Sequence, residues 1–245
     1  MFVTPFAGGH PDHMKDLLGR ITQLEHKLQL YAQLDSVGRV DYALWSAGAH
    51  VITALTSPTY APHTPRLRWL SLSARPVIQW KAPELALSPE LHLGYCWAML
   101  GSNGNLGVAL ARSIIPRAVT VDHVAKPLLL QFESAPRDIE VWFVPELKHG
   151  TIPTTSQAWG AVTTALGADI LIDHSLFNAY RRTTFVNLVN FTYDVHASRP
   201  AQTFEVSEDV YGLKLKTNTV LFRILTNWGS EAFTCLYRVR VHGED

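Results

Sequence analysis

From about residue 40 onward the chain is a succession of short apolar segments separated by Pro, Gly, Ser and Asn. Pro76–Trp80, Leu106–Ala111, Ala118–Val121, Ile139–Val144, Thr203–Val206, Val220–Leu225 and Leu236–Val241 are examples. This texture restricts the fold more than any other feature. Such segments are too short for ordinary helices, and their Val, Ile, Phe and Trp content suits a pleated surface with one buried face. Turn formers at regular intervals bring each segment back antiparallel to the last. The spacing predicts an all-β fold, an antiparallel β-sandwich. With 47% hydrophobic and 17% charged residues, the chain has enough apolar material to fill the core of such a domain.

Two regions depart from that rhythm. Residues 146–189 read as an insertion, with Gln157–Leu166 expected as a helix and Asp169–Ile172 as a short strand. The N-terminus reads as a flexible stretch over 1–10 and a helix over 11–37, opened by Pro11 and capped by Asp12. Within that helix Met14, Leu17, Ile21, Leu24, Leu28 and Tyr31 recur at spacings of 3, 4, 3, 4 and 3. Lys15, Arg20, Glu25, His26 and Lys27 lie among the flanking positions. An a/d seam of about three heptads is marginal for an isolated coiled coil. Its strict alternation favours self-association over packing against its own domain. The sandwich is therefore expected to follow a short N-terminal coiled-coil helix.

Several functions are disfavoured by composition. The 21 basic and 21 acidic residues cancel, which argues against nucleic acid as a partner, because that partner needs a positive field. No apolar run approaches the roughly 18–20 residues that span a bilayer, and nothing at Met1 reads as a secretory signal. Any membrane anchor is expected outside this segment. Cys96 and Cys235 are the two cysteines. They read either as buried thiols or, in an oxidising compartment, as a pair, and neither has the spacing of a zinc ligand. Asn190-Phe191-Thr192 is a sequon that accepts a glycan in a secretory compartment.

Catalytic motifs are missing. There is no GxSxG, P-loop, HExxH or GxGxxG after a strand. Gly101–Gly107 is glycine-rich but lies between strand-like segments, where a tight hairpin is its expected use. Ser134 and His123 are a conceivable nucleophile–base pair, but 11 histidines make chance pairing easy. The chain is expected not to be an enzyme.

The C-terminal stretch narrows the reading. Arg223-Ile224-Leu225-Thr226-Asn227-Trp228-Gly229, followed by Phe233-Thr234-Cys235-Leu236-Tyr237-Arg238-Val239-Arg240-Val241-His242-Gly243-Glu244, resembles the terminal signature of SUN domains. Four further blocks agree in order: Asp41–Ala49 at the domain entry, Gly94–Ala98, Pro116–Val124 and Ser134–Asp138. The resemblance covers roughly residues 38–145 and 190–245 and points to a fungal-type SUN protein of the nuclear-envelope LINC complex. It implies a β-sandwich SUN domain over 38–245 that assembles as a homotrimer. It implies a location in the perinuclear space, anchored in the inner nuclear membrane, and a job of linking nucleus to cytoskeleton. It also implies a partner, the Pro-rich C-terminal tail of a KASH protein.

The resemblance also implies site residues. Ser134 and Tyr237 fall where the family holds the terminal carboxylate of the KASH tail, with His123 close by, and Phe233 supplies an aromatic wall where many relatives have Tyr. Residues 61–82, with Trp69 and Trp80, occupy the place of the hairpin lid that adds a strand to the bound tail. Leu85–Cys96, including Leu85, Ser88, Glu90 and Tyr95, resembles a loop that wraps a monovalent cation, K+ or Na+, in carbonyl oxygens. No catalytic cofactor is implied. Cys96 and Cys235 resemble the disulfide that ties this loop to the last strands. Thr56 stands where some animal relatives carry a cysteine that bonds covalently to the KASH partner, so a non-covalent link is expected here. The rival from another class is a carbohydrate-binding β-sandwich module, which shares the general architecture.

Overall fold

The computed structural model describes residues 14–25, 39–61, 81–128, 131–146 and 185–245. Two units divide the chain, Met1–Arg39 and Val40–Asp245. In the first, residues 14–25 form helix α1. Its seam residues Met14, Leu17, Ile21 and Leu24 are all exposed in the single chain. Leu28, Tyr31, the lid residues Trp69 and Trp80, the segment Pro76–Trp80, the expected helix Gln157–Leu166 and the expected strand Asp169–Ile172 lie outside the described residues.

The second unit is an antiparallel β-sandwich. Its described strands are β1 (His50–Val51), β2 (Trp97–Leu100), β3 (Gly104–Asp122), β4 (Asp138–Val144), β5 (Val186–Thr192), β6 (Gln202–Glu205), β7 (Thr217–Ile224), β8 (Phe233–Leu236) and β9 (Arg238–Glu244). A one-turn helix, α2 (Glu208–Gly212), is capped by the Ser207 hydroxyl, which accepts from the Val210 N–H.

β3 organises the sandwich because both faces of the fold share it. Its first half pairs with β1 and β7 in a sheet that continues through β4 to β5. Its second half pairs with β9 and β6. The changeover is made by irregularities between Ala109 and Ile114 and between Pro116 and Ala118. A proline cannot donate to a ladder and sits most easily at such a bulge. Two segments expected as separate strands, Leu106–Ala111 and Ala118–Val121, are therefore one bent strand.

Period-2 alternation fills the space between the layers. Leu106, Val108 and Leu110 of β3, Ile139, Val141 and Phe143 of β4, Val220, Phe222 and Ile224 of β7, and Val239 and Val241 of β9 share one core with Trp97 and Leu236. Burying a side chain such as Phe222 contributes about 1.5–3 kcal/mol. The alternate residues Trp142 and Leu221 face outward, where Leu55 and Phe185 cover them in a second cluster. Gly107 is needed for that cover, since a Cβ there would lie 2.4 Å from the Leu55 Cβ.

The domain entry is fixed by buried charge. Asp41 accepts from the Ala43 N–H at 3.0 Å and from Arg238 Nη2 at 2.8 Å. Arg240 Nε donates to Asp122 Oδ2 at 2.6 Å, and Arg238 Nε lies 3.8 Å from the same oxygen. The acids and bases neutralise each other inside the domain, where a lone charge is strongly disfavoured.

Three expectations change. Gly101–Gly107 is not a hairpin: β2 pairs with β8 and β3 pairs elsewhere, so this turn passes the chain between sheets. Leu236–Val241 is not one strand. It breaks at Tyr237, between β8 and β9. The expected insertion 146–189 overlaps a core strand at its end, because Val186 opens β5 and pairs with Phe143.

Candidate functional site: the Tyr237 junction

Tyr237 stands where the chain leaves the two-stranded β2–β8 sheet and enters the β3–β9 ladder. A residue at such a junction belongs to neither ladder and is set by its surroundings. Cys96 and Cys235 form a disulfide with their Cα atoms 5.6 Å apart, tying the segment before β2 to β8. Both cysteines, Val124 and Tyr237 form a buried cluster, with Leu91 and Phe233 packed against it.

The Gly94 N–H donates to the Tyr237 hydroxyl at 3.1 Å. Gly94 adopts φ +70°, a left-handed conformation that glycine takes without cost. Burial raises the Tyr237 pKa and the Gly94 hydrogen bond opposes that rise. The phenol stays protonated near neutral pH. Because it accepts from Gly94, its own hydrogen is left to donate.

His123 follows β3 and meets Tyr237 edge-on, ring centroids 4.5 Å apart, with Tyr193 at 5.9 Å on another side. Its Nδ1 lies 3.1 Å from the Val124 carbonyl, and its buried Nε2 has no partner among the described residues. Burial pushes its pKa down to about 4, so the ring is neutral at physiological pH. A neutral ring that donates through Nδ1 keeps a lone pair on Nε2 and accepts there. His123 therefore packs against Tyr237 as a neutral ring.

Ser134 ends a 3-10 turn, Phe132–Ser134, and its hydroxyl donates to the Gln131 carbonyl at 2.8 Å. Ser134 and His123 form no hydrogen bond to each other, each being engaged with a nearby carbonyl. The turn is held to the loop after β7 by the Ser230 N–H to the Glu133 carbonyl and the Trp228 N–H to the Ala135 carbonyl, both 3.1 Å. Phe233, at the start of β8, stacks on Tyr60 at 5.1 Å. Thr56 is used internally: its hydroxyl donates to the Ile52 carbonyl and accepts from the Gly107 N–H.

The loop before β2 is stitched by its own backbone. The Ala82, Leu85 and His92 carbonyls accept N–H groups of Leu85, Ser88 and Tyr95, and the Glu90 N–H donates to the Ser88 hydroxyl. The Gly94 carbonyl accepts from Lys81 Nζ at 2.6 Å, and the same ammonium lies 3.9 Å from the Tyr95 ring centre. Beside it opens a cavity of about 510 Å³, lined by Trp45, Lys81, Glu84, Leu85, Ser88 and Tyr95. Sequence reasoning missed Lys81 and Gly94. A glycine two residues before Cys96 was the available signal, since a left-handed position beside a disulfide limits how the loop can turn. Asn190 is exposed on β5, where its side chain accepts from Asn187.

Comparison with known proteins gives the family. The model of the Sad1/UNC-like C-terminal family matches residues 78–158 and 172–245. SUN domain-containing protein 3 of Mus musculus is 32% identical over 85% of this chain and 54% of its own length. SUN domain-containing protein 2 of Mus musculus is 35% identical over 90% of this chain and 25% of its own length. The chain thus spans about half, or less, of the curated relatives it matches. A family 32 carbohydrate-binding module from Streptococcus pneumoniae EndoD is similar at a TM-score of 0.46, with 9% identity, over 84% of this chain and 100% of that one. With the family model matched over more than half of its length, this chain belongs to the SUN domain family.

Proposed function

We propose that this domain works at the nuclear envelope, in the perinuclear space, where it binds the free C-terminal end of a KASH protein tail. It is a binding domain rather than a catalyst, one link in a bridge between nucleus and cytoskeleton. The observation that carries this reading is the Tyr237 hydroxyl. It is buried, protonated, fixed by the Gly94 N–H and left with a hydrogen to give. A neutral donor of this kind suits a carboxylate, because it stabilises the charge without adding one. Phe233 and Tyr60 form the aromatic wall beside it, and His123 closes the pocket edge. Residues 61–82, with Trp69 and Trp80, act as the lid, and Ser134 exchanges its Gln131 partner for the tail when the tail arrives. The apolar seam of α1 joins three copies. The assembly is held at the inner nuclear membrane.

Calorimetry with a Pro-rich tail peptide and its amidated twin tests the reading. The acid should bind and the amide should bind far more weakly, since the pocket donors then lose their partner. Equal affinity for the two would defeat it, and binding to a glycan array instead would favour the carbohydrate-binding alternative.

A further inference from the structure

We propose that Asn190 is an acceptor for an N-linked glycan, carried on the outer face of β5; its use in the cell rests on the lumenal location read above. Asn190-Phe191-Thr192 is the only Asn-X-Ser/Thr triplet in the 245 residues. The triplet lies on β5, and the alternation of that strand decides where each side chain goes. Val189, Phe191 and Tyr193 turn inward and pack with the main core. Asn190 and Thr192 fall between them and are exposed. Phe191 is held further by a stack on Phe204, ring centroids 3.7 Å apart. The inward residues fix the strand and aim the acceptor at solvent.

The Asn190 amide is oriented for this role. Its Oδ1 accepts from Asn187 Nδ2 at 2.7 Å, and its own Nδ2 makes no hydrogen bond among the described residues. Nδ2 is the atom that takes the sugar. The donor class is an oligosaccharide carried on a lipid diphosphate. Nδ2 bonds to C1 of the first sugar, the bond from C1 to the diphosphate oxygen breaks, the diphosphate leaves with the electron pair, and the amide gives up one proton. Transfer acts on the extended chain, so the fold has to leave room for the product. It does: Asn190 pairs with Glu140 of β4, and Glu140 pairs with Arg223 of β7, the two charges 3.3 Å apart. This row of the outer face is polar, so the sugars lie over it hydrated and lose no water to an apolar surface. The Thr192 hydroxyl, needed only for transfer, donates to Asp138 Oδ1 at 2.8 Å once the strand is folded. β5 also ends the order β1-β3-β7-β4-β5 among the described strands. A bulky hydrated group beside that edge hinders pairing with a strand of another chain.

The test has two arms. In the first, the whole chain is directed into the secretory lumen of eukaryotic cells behind an added signal sequence, and the Cys96–Cys235 bridge, read by thiol labelling, marks its arrival. Peptide N-glycosidase should then move the wild-type band by a single step, and digestion in heavy-oxygen water should convert Asn190 to a labelled aspartate. Asn190→Gln should run at the digested position before any enzyme is added. Thr192→Ser keeps the triplet and should still shift, whereas Thr192→Val should not. A disulfide-bonded wild-type chain that the enzyme leaves unmoved overturns the proposal, however the variants fold, and so does a shift that persists in Asn190→Gln. In the second arm the natural protein is taken from its own cells. If it carries the disulfide but shows no shift, the proposal is overturned. If it carries neither while the first arm shifts, Asn190 stands as an acceptor and the lumenal location is what fails.

Discussion

The Gly94 N–H donates to the Tyr237 hydroxyl at 3.1 Å, joining residues 143 positions apart. The bond exists because the Cys96–Cys235 disulfide holds the two chain segments side by side. It aims the phenol and occupies one of its lone pairs. Tyr237→Phe should therefore have a measurable cost in stability, about 1 kcal/mol for the orphaned N–H. Its larger effect should be on binding. Loss of a donor to a charged group is worth about 1.5–3 kcal/mol, or roughly 10- to 150-fold in affinity for a peptide acid. The amidated peptide should show little change. Titration calorimetry on both peptides measures the difference, and equal losses on the two would remove the hydroxyl from the carboxylate site.

Reduction of the disulfide offers an independent handle. The bridge spans 139 positions, and a loop of that length is worth up to about 5 kcal/mol in the chain-entropy description. Measured losses on removing such bridges are about 2–5 kcal/mol. Melting with and without a reducing agent should show this destabilisation. Peptide affinity should fall as well, because Gly94 is two residues from Cys96 and loses its fixed place beside Tyr237. An unchanged melting temperature would mean that the surrounding cluster, not the bond, holds the junction.

His123 sets a pH dependence whose sign follows from its burial. Its folded pKa is about 4, below the ordinary value of 6.5. Between those values the unfolded chain binds a proton that the folded chain does not, so stability rises with pH through that window. Its contribution is fully present above about pH 6.5 and is lost as pH falls toward 4. The upper bound is about 3 kcal/mol. His123→Phe removes the titration and the partnerless Nε2 together. The variant should lose less stability between pH 7 and pH 5 than the wild type, as read by denaturant unfolding at both pH values. Parallel losses in the two proteins would place the titrating group elsewhere.

Much of the sandwich was legible because alternation in β3, β4, β7 and β9 is the direct trace of one buried face. What could not be read was the assignment of strands to sheets. Pro116 looks like a breaker in sequence, yet β3 runs through it by a bulge. Leu236 and Val239 look like one apolar run, yet they serve different ladders, with Tyr237 between them. Val186–Val189 sits within a stretch that breaks the strand rhythm, and only pairing with β4 marks it as core. The site followed the same rule. Cys96, Cys235, His123 and Tyr237 were named through the SUN-domain resemblance, and of these readings the Cys96–Cys235 disulfide is seen in the fold. Gly94 was missed because its contribution is a backbone N–H, which a sequence of side chains does not display. Lys81 was missed because its contact with Gly94 depends on which carbonyl the loop turns toward it.

The last prediction concerns assembly. In the single chain Met14 is 63% exposed, Leu17 41%, Ile21 51% and Leu24 59%. Four apolar residues on one stripe, all in water, are the pattern of a helix that buries its seam against other copies. Leu18, 56% exposed, lies beside the stripe and widens it. About three heptads give little stability alone, so contacts between the sandwich heads must add to the seam. Light scattering should give roughly three times the 27.3 kDa chain mass in the presence of tail peptide. Ile21→Asp with Leu24→Asp should return the mass to one chain, because each new carboxylate would be buried in the seam without a partner. Thr22→Asp changes the same turn of helix off the stripe and should leave the mass unchanged. A wild-type chain that stays monomeric with peptide present, or a Thr22→Asp variant that dissociates like the seam variant, would show that this stripe does not hold the copies together.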